Sequence, residues 1–393
     1  MTQLENPYVG PRTFTRQERH RFFGREREAR DLFSLVVSER LVLFYAQSGA
    51  GKSSLINTRL VPQLQEGGFA VLPIGRVSGE LPPGVAEVGN IFAFNLMPNL
   101  DQSAGAAQQF QHLPLTNFLA GLVSDDGEHY HYESEAKAEE YIEAPHVLII
   151  DQFEEIITTH SSYWPEREDF FRQLDQAMSD DPLLWVVLAF REDYLAALEP
   201  YAPLLADKMR ARFYMQRMDY EAALEAVKKP AQQGGRPFAP GVAENLVDNL
   251  RQIRIQGQPL SPNNLTPLNT QEGLGGQWSA VGGRTLGQFV EPVQLQVVCY
   301  QLWENLRGRP IGEITWEHLQ VCGNIDEALV TFYEQALAKV VEATGEVGGN
   351  LRNWFEHKLI TEAGTRGSVY RGTDKTEGIA TRAADLLVNQ FLL

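Results

Sequence analysis

The sequence predicts an α/β protein: a parallel sheet in the N-terminal half, a helical part after it, and a smaller helix-and-hairpin unit at the C-terminal end. Three observations carry this. Short apolar runs rich in β-formers, at 41–46, 145–150 and 183–190, alternate with helical patterns, as buried parallel strands do. After Phe213 the texture turns helical and the alternation stops. Beyond Leu351, short helical patterns are punctuated by Gly364, Gly367 and Gly372, which suggests a hairpin in a winged-helix-like unit.

In order along the chain, Leu41–Ala46 (LVLFYA) reads as a buried strand. The turn QSGAGKSS follows, then a helix from Ser53 to about Leu64 that Pro62 is expected to bend or shorten. Gly67-Gly68 closes it, Phe69–Val77 reads as a second strand, and Ile91–Leu96 is a further apolar stretch. Pro145–Ile150 and Leu183–Phe190 are buried strands separated by a helical pattern at Glu166–Met178. Helices are expected at Tyr220–Lys229, Ala243–Ile255, Pro292–Leu306 and Ile325–Val341. Gly257–Gln288, crowded with turn formers, reads as a mobile loop. Asp125–Glu140 holds seven acids and one Lys and reads as a solvated insertion. The sequence has no internal repeat.

Composition narrows the function. The 393 residues are 43% hydrophobic and 22% charged, ordinary for a globular chain and unlike disordered, collagen or coiled-coil sequences. The longest apolar run, Leu183–Phe190, is too short to span a bilayer, and the N-terminus has no secretory signal. Two cysteines, Cys299 and Cys322, form no disulfide framework, so a cytoplasmic location without membrane contact is expected. The net charge of −17 disfavours broad nucleic-acid binding.

Ala46-Gln47-Ser48-Gly49-Ala50-Gly51-Lys52-Ser53 fits the phosphate-loop pattern G-x-x-x-x-G-K-[ST] except at its first position. Gly49 and Gly51 let backbone N–H groups curl around phosphate oxygens, and the next helix directs its positive end at the same anion. The nucleotide site is therefore expected at Ser48, Gly49, Ala50, Gly51, Lys52, Ser53 and Ser54, taking ATP or ADP with Mg²⁺. Lys52 reaches the β- and γ-phosphates and Ser53 ligates the metal. A chance Gly-Lys-Ser is the alternative; its place between a strand and a helix argues against it.

Val147–Ile150 ends in Asp151, an apolar strand closing on a carboxylate, and so a second Mg²⁺ ligand. Gln152-Phe153-Glu154-Glu155 follows, and a carboxylate just past the metal ligand can deprotonate the attacking water. Glu154 is the first candidate and Glu155 the second; acids at a helix start are the alternative for one of them. Arg191 closes the strand Trp185–Phe190, where it is placed to contact the γ-phosphate, or else to pair with Glu192 or a nearby acid. Its strand is expected to lie between those of the phosphate loop and Asp151, the arrangement of P-loop proteins with an extra strand and a catalytic glutamate.

These motifs together resemble the STAND NTPases, signalling relatives of NACHT and apoptosome-type ATPases, and most closely their bacterial novel STAND branch. Asn6-Pro7-Tyr8-Val9-Gly10 and Phe22-Phe23-Gly24-Arg25-Glu26 are similar to that family's N-terminal segment, which implies that Phe23, Gly24 and Arg25 lie at the nucleotide. Phe190-Arg191-Glu192-Asp193-Tyr194 resembles its sensor. Glu291–Gln296 with Cys299 and Leu302-Trp303-Glu304 resembles its helical domain, which implies that Pro292 packs on the nucleotide. Trp354-Phe355, Leu359-Ile360-Thr361 and Gly364-Thr365-Arg366 resemble the start of its winged helix. The resemblance implies four parts: an N-terminal segment over 1–24 beside the nucleotide, an NTPase domain over 25–215, a helical domain over 216–324 and a winged helix over 325–393. Two departures stand out. Ala46 replaces the first loop glycine. The chain also ends at Leu393, before the family's diphosphate-contacting histidine and sensor domain, so the winged helix is expected to be incomplete.

The function implied is a switch: ADP holds the domains closed, ATP-Mg²⁺ allows self-association, and slow hydrolysis resets it, in bacterial defence or regulated cell death. A sensor and an effector, as domains or as separate proteins, would lie outside this chain. A nucleic-acid-stimulated loader or motor and a non-hydrolysing scaffold are the alternatives. The first is opposed by the charge, and by a C-terminal stretch, 351–393, with six Lys/Arg against five Asp/Glu. Ala46 alone supports the second. His129-Tyr130-His131 reads as a solvent loop rather than a metal site, and Cys299, at helical spacing, as core.

Overall fold

Five strands form one parallel sheet: β1 Leu41–Ala46, β2 Ala70–Val71, β3 His146–Ile150, β4 Leu184–Arg191 and β5 Ala211–Met215, in the spatial order β2-β3-β4-β1-β5. This is an α/β P-loop fold. β4 lies between β1 and β3, with Ala46 opposite Arg191 and Ile150 opposite Leu188. The C-terminal ends of β1, β3 and β4, carrying the phosphate loop, Asp151 and Arg191, therefore come side by side, where open α/β sheets bind their ligands. The computed structural model describes residues 5–79, 81–82, 84–85, 87–103, 105, 107–134, 144–254, 284–321, 325–359, 369 and 375–389.

Contacts divide the chain into two units, Thr13–Gln216 and Met1–Arg12 with Arg217–Leu393.

In the first unit, β3 and nearly all of β1 and β4 are buried, packed with helices such as Ile91–Leu100 and Trp164–Asp180. The apolar stretch Ile91–Leu96 belongs to the first of these helices, capped by the Asn90 side chain, which accepts from the Phe92 and Ala93 amides at 3.1 Å. The strand expected over Phe69–Val77 is shorter. Pro73 has no N–H for the ladder, so regular pairing stops at Val71 and resumes as a single bridge between Gly75 and Ile150. The helix after the phosphate loop runs past Pro62 to Glu66, with a π turn over Ile56–Leu60 just before the proline. That wider turn adjoins the missing proline donor, and the helix neither ends nor shortens there.

Two apolar clusters lie among the described residues of the second unit. One gathers Val227, Val247, Leu295, Cys299, Leu302 and Trp303 from helices Tyr220–Gln233, Val242–Leu250 and Pro292–Asn305. Tyr8 enters it from the N-terminus, its hydroxyl donating to the Val227 carbonyl at 2.5 Å and its ring edge-on to Trp303. Cys299 is buried there, its thiol pushed up beyond the usual range by desolvation, as a core residue. The helix expected over Ala243–Ile255 ends at Leu250, because Gln252–Arg254 pairs antiparallel with Arg284–Leu286. The other cluster joins Leu337, Val340, Leu351, Trp354, Ile379 and Leu387, with a hairpin of Lys375–Thr376 and Ile379–Ala380 before helix Thr381–Asn389. The expected hairpin glycines Gly364, Gly367 and Gly372, most of the loop 257–288, Cys322 and the acidic residues from 135 to 140 lie outside the described residues.

No helix among the described residues is long and apolar enough to cross a membrane.

Candidate nucleotide site

The phosphate loop leaves β1 at Ala46. Ala46 is fully buried as the last residue of the strand, paired with Arg191 on one side and Met215 on the other. Its backbone is not left-handed, so the position needs no glycine, and the departure from the pattern leaves the turn intact. The glycines the loop does need are Gly49 and Gly51, at φ 75° and 95°. Gly51 caps the helix that starts at Lys52.

Lys52 lies in the slot this loop forms, its ammonium donating to the Ala46 carbonyl at 3.3 Å. Burial holds its pKa below the usual lysine value, against the opposing pull of the Glu154 and Asp151 carboxylates. A largely desolvated ammonium facing carbonyl oxygens and acids is well disposed toward an incoming phosphate. Ser53 donates its hydroxyl to Asp151 Oδ2 at 2.6 Å. The hydroxyl and the buried carboxylate converge from separate elements as hard oxygen donors, the set a Mg²⁺ ion takes when its remaining ligands are phosphate and water. Among the described residues no three His, Cys, Asp or Glu gather into a metal cage. Bound there, Mg²⁺ would neutralise charge on the phosphates.

Past Asp151, Gln152 adopts φ 54°, a left-handed turn uncommon outside glycine, with its amide donating to Asp151 Oδ1 at 2.9 Å. The turn sends the two glutamates different ways. Glu154 Oε2 accepts from the Arg191 backbone N–H at 3.2 Å and faces Lys52 and Asp151. Glu155 accepts from the Ser78 hydroxyl and lies near Arg76. Burial raises the pKa of both. Glu154 is thus the carboxylate on the Lys52 side, and Glu155 is held by the loop after β2.

Arg191 is three-quarters buried and ion-paired with Asp193, Nη2 to Oδ2 at 2.6 Å, and it lies over the Tyr194 ring. Its partner is the acid two residues on, not Glu192. Arg25 is buried and reaches the loop itself, donating to the Ala50 carbonyl at 3.3 Å while pairing with Glu28. It braces the loop from outside. Gly24 is left-handed at φ 79°, with its amide donating to Glu26, and Phe23 precedes it. The Ser54 hydroxyl accepts from the Phe14 amide at 3.2 Å, so its side chain ties the start of the unit to the loop's helix. Ser48, Gly49 and Ala50 form the arch of the loop. Pro292 belongs to the second unit, at the first position of helix Pro292–Asn305. Arg76 and Ser78 carry no sequence signal: both sit on an irregular loop and meet Glu155 only through the fold. His129 and His131 pair with Asp126 and Glu133; the first is exposed as a solvent loop requires, whereas His131 is half-buried in a short strand, His131–Tyr132, paired antiparallel with Leu122–Val123.

A family model described as novel STAND NTPase 1 matches residues 7–369. No curated protein matches the chain. Among solved structures, a Walker-type ATPase of Pyrococcus abyssi is similar at 12% identity over 98% of this chain and 100% of its own, with a TM-score of 0.45. The ORC2 protein of Aeropyrum pernix, in ADPNP-ADP complexes, is similar at 12% identity over 94% of this chain and 93% of its own, with a TM-score of 0.48. With a phosphate loop, an acidic strand end and a family match over nearly its whole length, the chain belongs to the novel STAND NTPases.

Proposed function

We propose that the chain is a nucleotide-dependent signalling switch that binds ADP in a closed state and ATP-Mg²⁺ in a self-associating state, and hydrolyses ATP slowly. The observation that carries this is the convergence on one sheet edge of Lys52, the Ser53–Asp151 pair 2.6 Å apart, and the buried Glu154. Lys52 holds the β- and γ-phosphates, Ser53 and Asp151 would hold the Mg²⁺ that neutralises them, and Glu154 takes the proton of the attacking water. Arg191 exchanges Asp193 for the γ-phosphate, a contact ADP cannot make, and that difference gives ATP its leverage on the equilibrium. The extra-strand, catalytic-glutamate class and a C-terminal winged helix belong to the same reading. So do sensor and effector partners outside the chain and a role in defence or regulated cell death. The test is turnover of Mg-ATP with and without DNA or RNA. Slow turnover indifferent to nucleic acid is expected, and strong stimulation would indicate a loader or motor.

The raised pKa of Glu154 gives turnover a signature in pH. The base works ionised, so kcat/KM, which reports the free enzyme, falls as pH drops through its pKa. Burial places that acid limb above the ordinary glutamate value of about 4.3. A kcat/KM–pH profile with its limb at or below that value would remove Glu154 as the desolvated base.

Pro292 is the proposed mechanical link between nucleotide and helical domain. Alanine is acceptable at the first helical position, so Pro292→Ala keeps the fold. Loss of its apolar contact with base or ribose, ~1 kcal/mol, speeds ADP release about fivefold. Release from a preloaded fluorescent ADP complex at the wild-type rate would show that the proline only starts the helix.

A further inference from the structure

Glu154 and Glu155 are neighbours at the start of helix Glu155–Thr158, so their side chains diverge by about 100° around its axis. One meets the Arg191 amide and faces Lys52 and Asp151; the other meets Ser78. Ser78 sits on the irregular loop after β2, and that loop is fastened at both ends to its surroundings. At one end the Asp151 amide donates to the Gly75 carbonyl at 3.0 Å. At the other, His160 Nε2 donates to the Gly79 carbonyl at 2.9 Å, and Asn95 Nδ2 holds the Val77 carbonyl at 3.3 Å. The Ser78–Glu155 bond lies between these ends, and of the four bonds it is the one made by a carboxylate side chain.

We propose that Ser78 is a positioning residue for hydrolysis: by holding Glu155 on the loop side it keeps the adjoining Glu154 turned toward Lys52 and the attacking water. This rests on the reading of Glu154 as the base. The physical need is plain. Two adjacent, largely buried carboxylates repel, so the turn that carries them needs a fixed hold. Without its hydroxyl partner, Glu155 no longer fastens the turn to this loop, and Glu154 is free to rotate out of line. The hydroxyl is a directional donor that ties the turn to the loop after β2, and Arg76 supports it from the same loop.

The test is steady-state ATP turnover and ADP affinity of Ser78→Ala and Ser78→Thr, with Glu155→Ala and Glu154→Gln beside them. Displacing a base by a fraction of an ångström lowers kcat about tenfold in Ser78→Ala, with KM and ADP affinity unchanged. Threonine, which keeps the hydroxyl, restores kcat, and Glu155→Ala behaves as Ser78→Ala does. Wild-type kcat in Ser78→Ala overturns the proposal. So does a change confined to KM, or a Glu155→Ala enzyme as inactive as Glu154→Gln, which would place Glu155 in the chemistry itself. A wild-type protein without turnover refutes the hydrolysis reading, whereas turnover abolished by Glu154→Gln and untouched by Ser78→Ala refutes the positioning role alone. Should Ser78→Ala fail to fold, Glu155→Ala carries the same expectation.

Discussion

Lys52→Ala is expected to weaken ADP and ATP binding roughly ten- to a hundredfold, the effect of losing a charged hydrogen bond of about 1.5–3 kcal/mol. The ammonium is the cation the phosphate loop directs at phosphate, and it meets the Ala46 and Gln47 carbonyls and the neighbouring carboxylates. Its removal leaves Asp151 and Glu154 facing the phosphates with no lysine between them, so like charges meet across the site. The fold is expected to survive, because an ammonium kept in the slot at a desolvation cost contributes little to stability. Isothermal titration with Mg-ADP, alongside a melting curve to confirm folding, measures the change. Unaltered affinity in a folded variant would mean that nucleotide, if bound at all, sits elsewhere.

Glu154→Gln is expected to bind ATP as the wild type does and to lose turnover by at least about a hundredfold, the usual reach of a general base. The amide keeps the side chain's shape and can still accept from the Arg191 N–H, so the end of β4 stays tied to the turn. What disappears is the proton acceptor. If ATP drives association, this variant accumulates as the larger species under Mg-ATP and returns to the smaller one in ADP. Wild-type turnover would move the base to Glu155, or to no side chain at all.

The phosphate loop was legible in the sequence because its chemistry is local: strand, glycines, lysine and hydroxyl follow one another along the chain. The acidic strand end was legible for the same reason, and so was the place of β4, since each buried parallel strand is a continuous apolar run. Ser78 was not, because its partner lies seventy-seven positions away and a serine on an irregular loop has no periodicity to mark it. The strand at Gln252–Arg254 was read as the tail of a helix, since its conformation is set by pairing with Arg284–Leu286 and not by its own residues. The break after Val71 was written in Pro73 and Gly75, but the apolar run outweighed them. The N-terminal motif around Tyr8 has no helical or strand period, and its burial among Val227 and Trp303 follows from a fit that only the assembled helices create. Ala46 shows the reverse. A motif rule asks for glycine there, whereas the backbone, still extended as the end of β1, has no use for one.

The most direct measurement of the central claim is the nucleotide released when the purified chain is denatured, quantified by chromatography after incubation with Mg-ADP and removal of free ligand. About one equivalent of ADP per chain, absent from Lys52→Ala, is the expected result. A folded wild-type chain that releases none would contradict a nucleotide switch built on this loop.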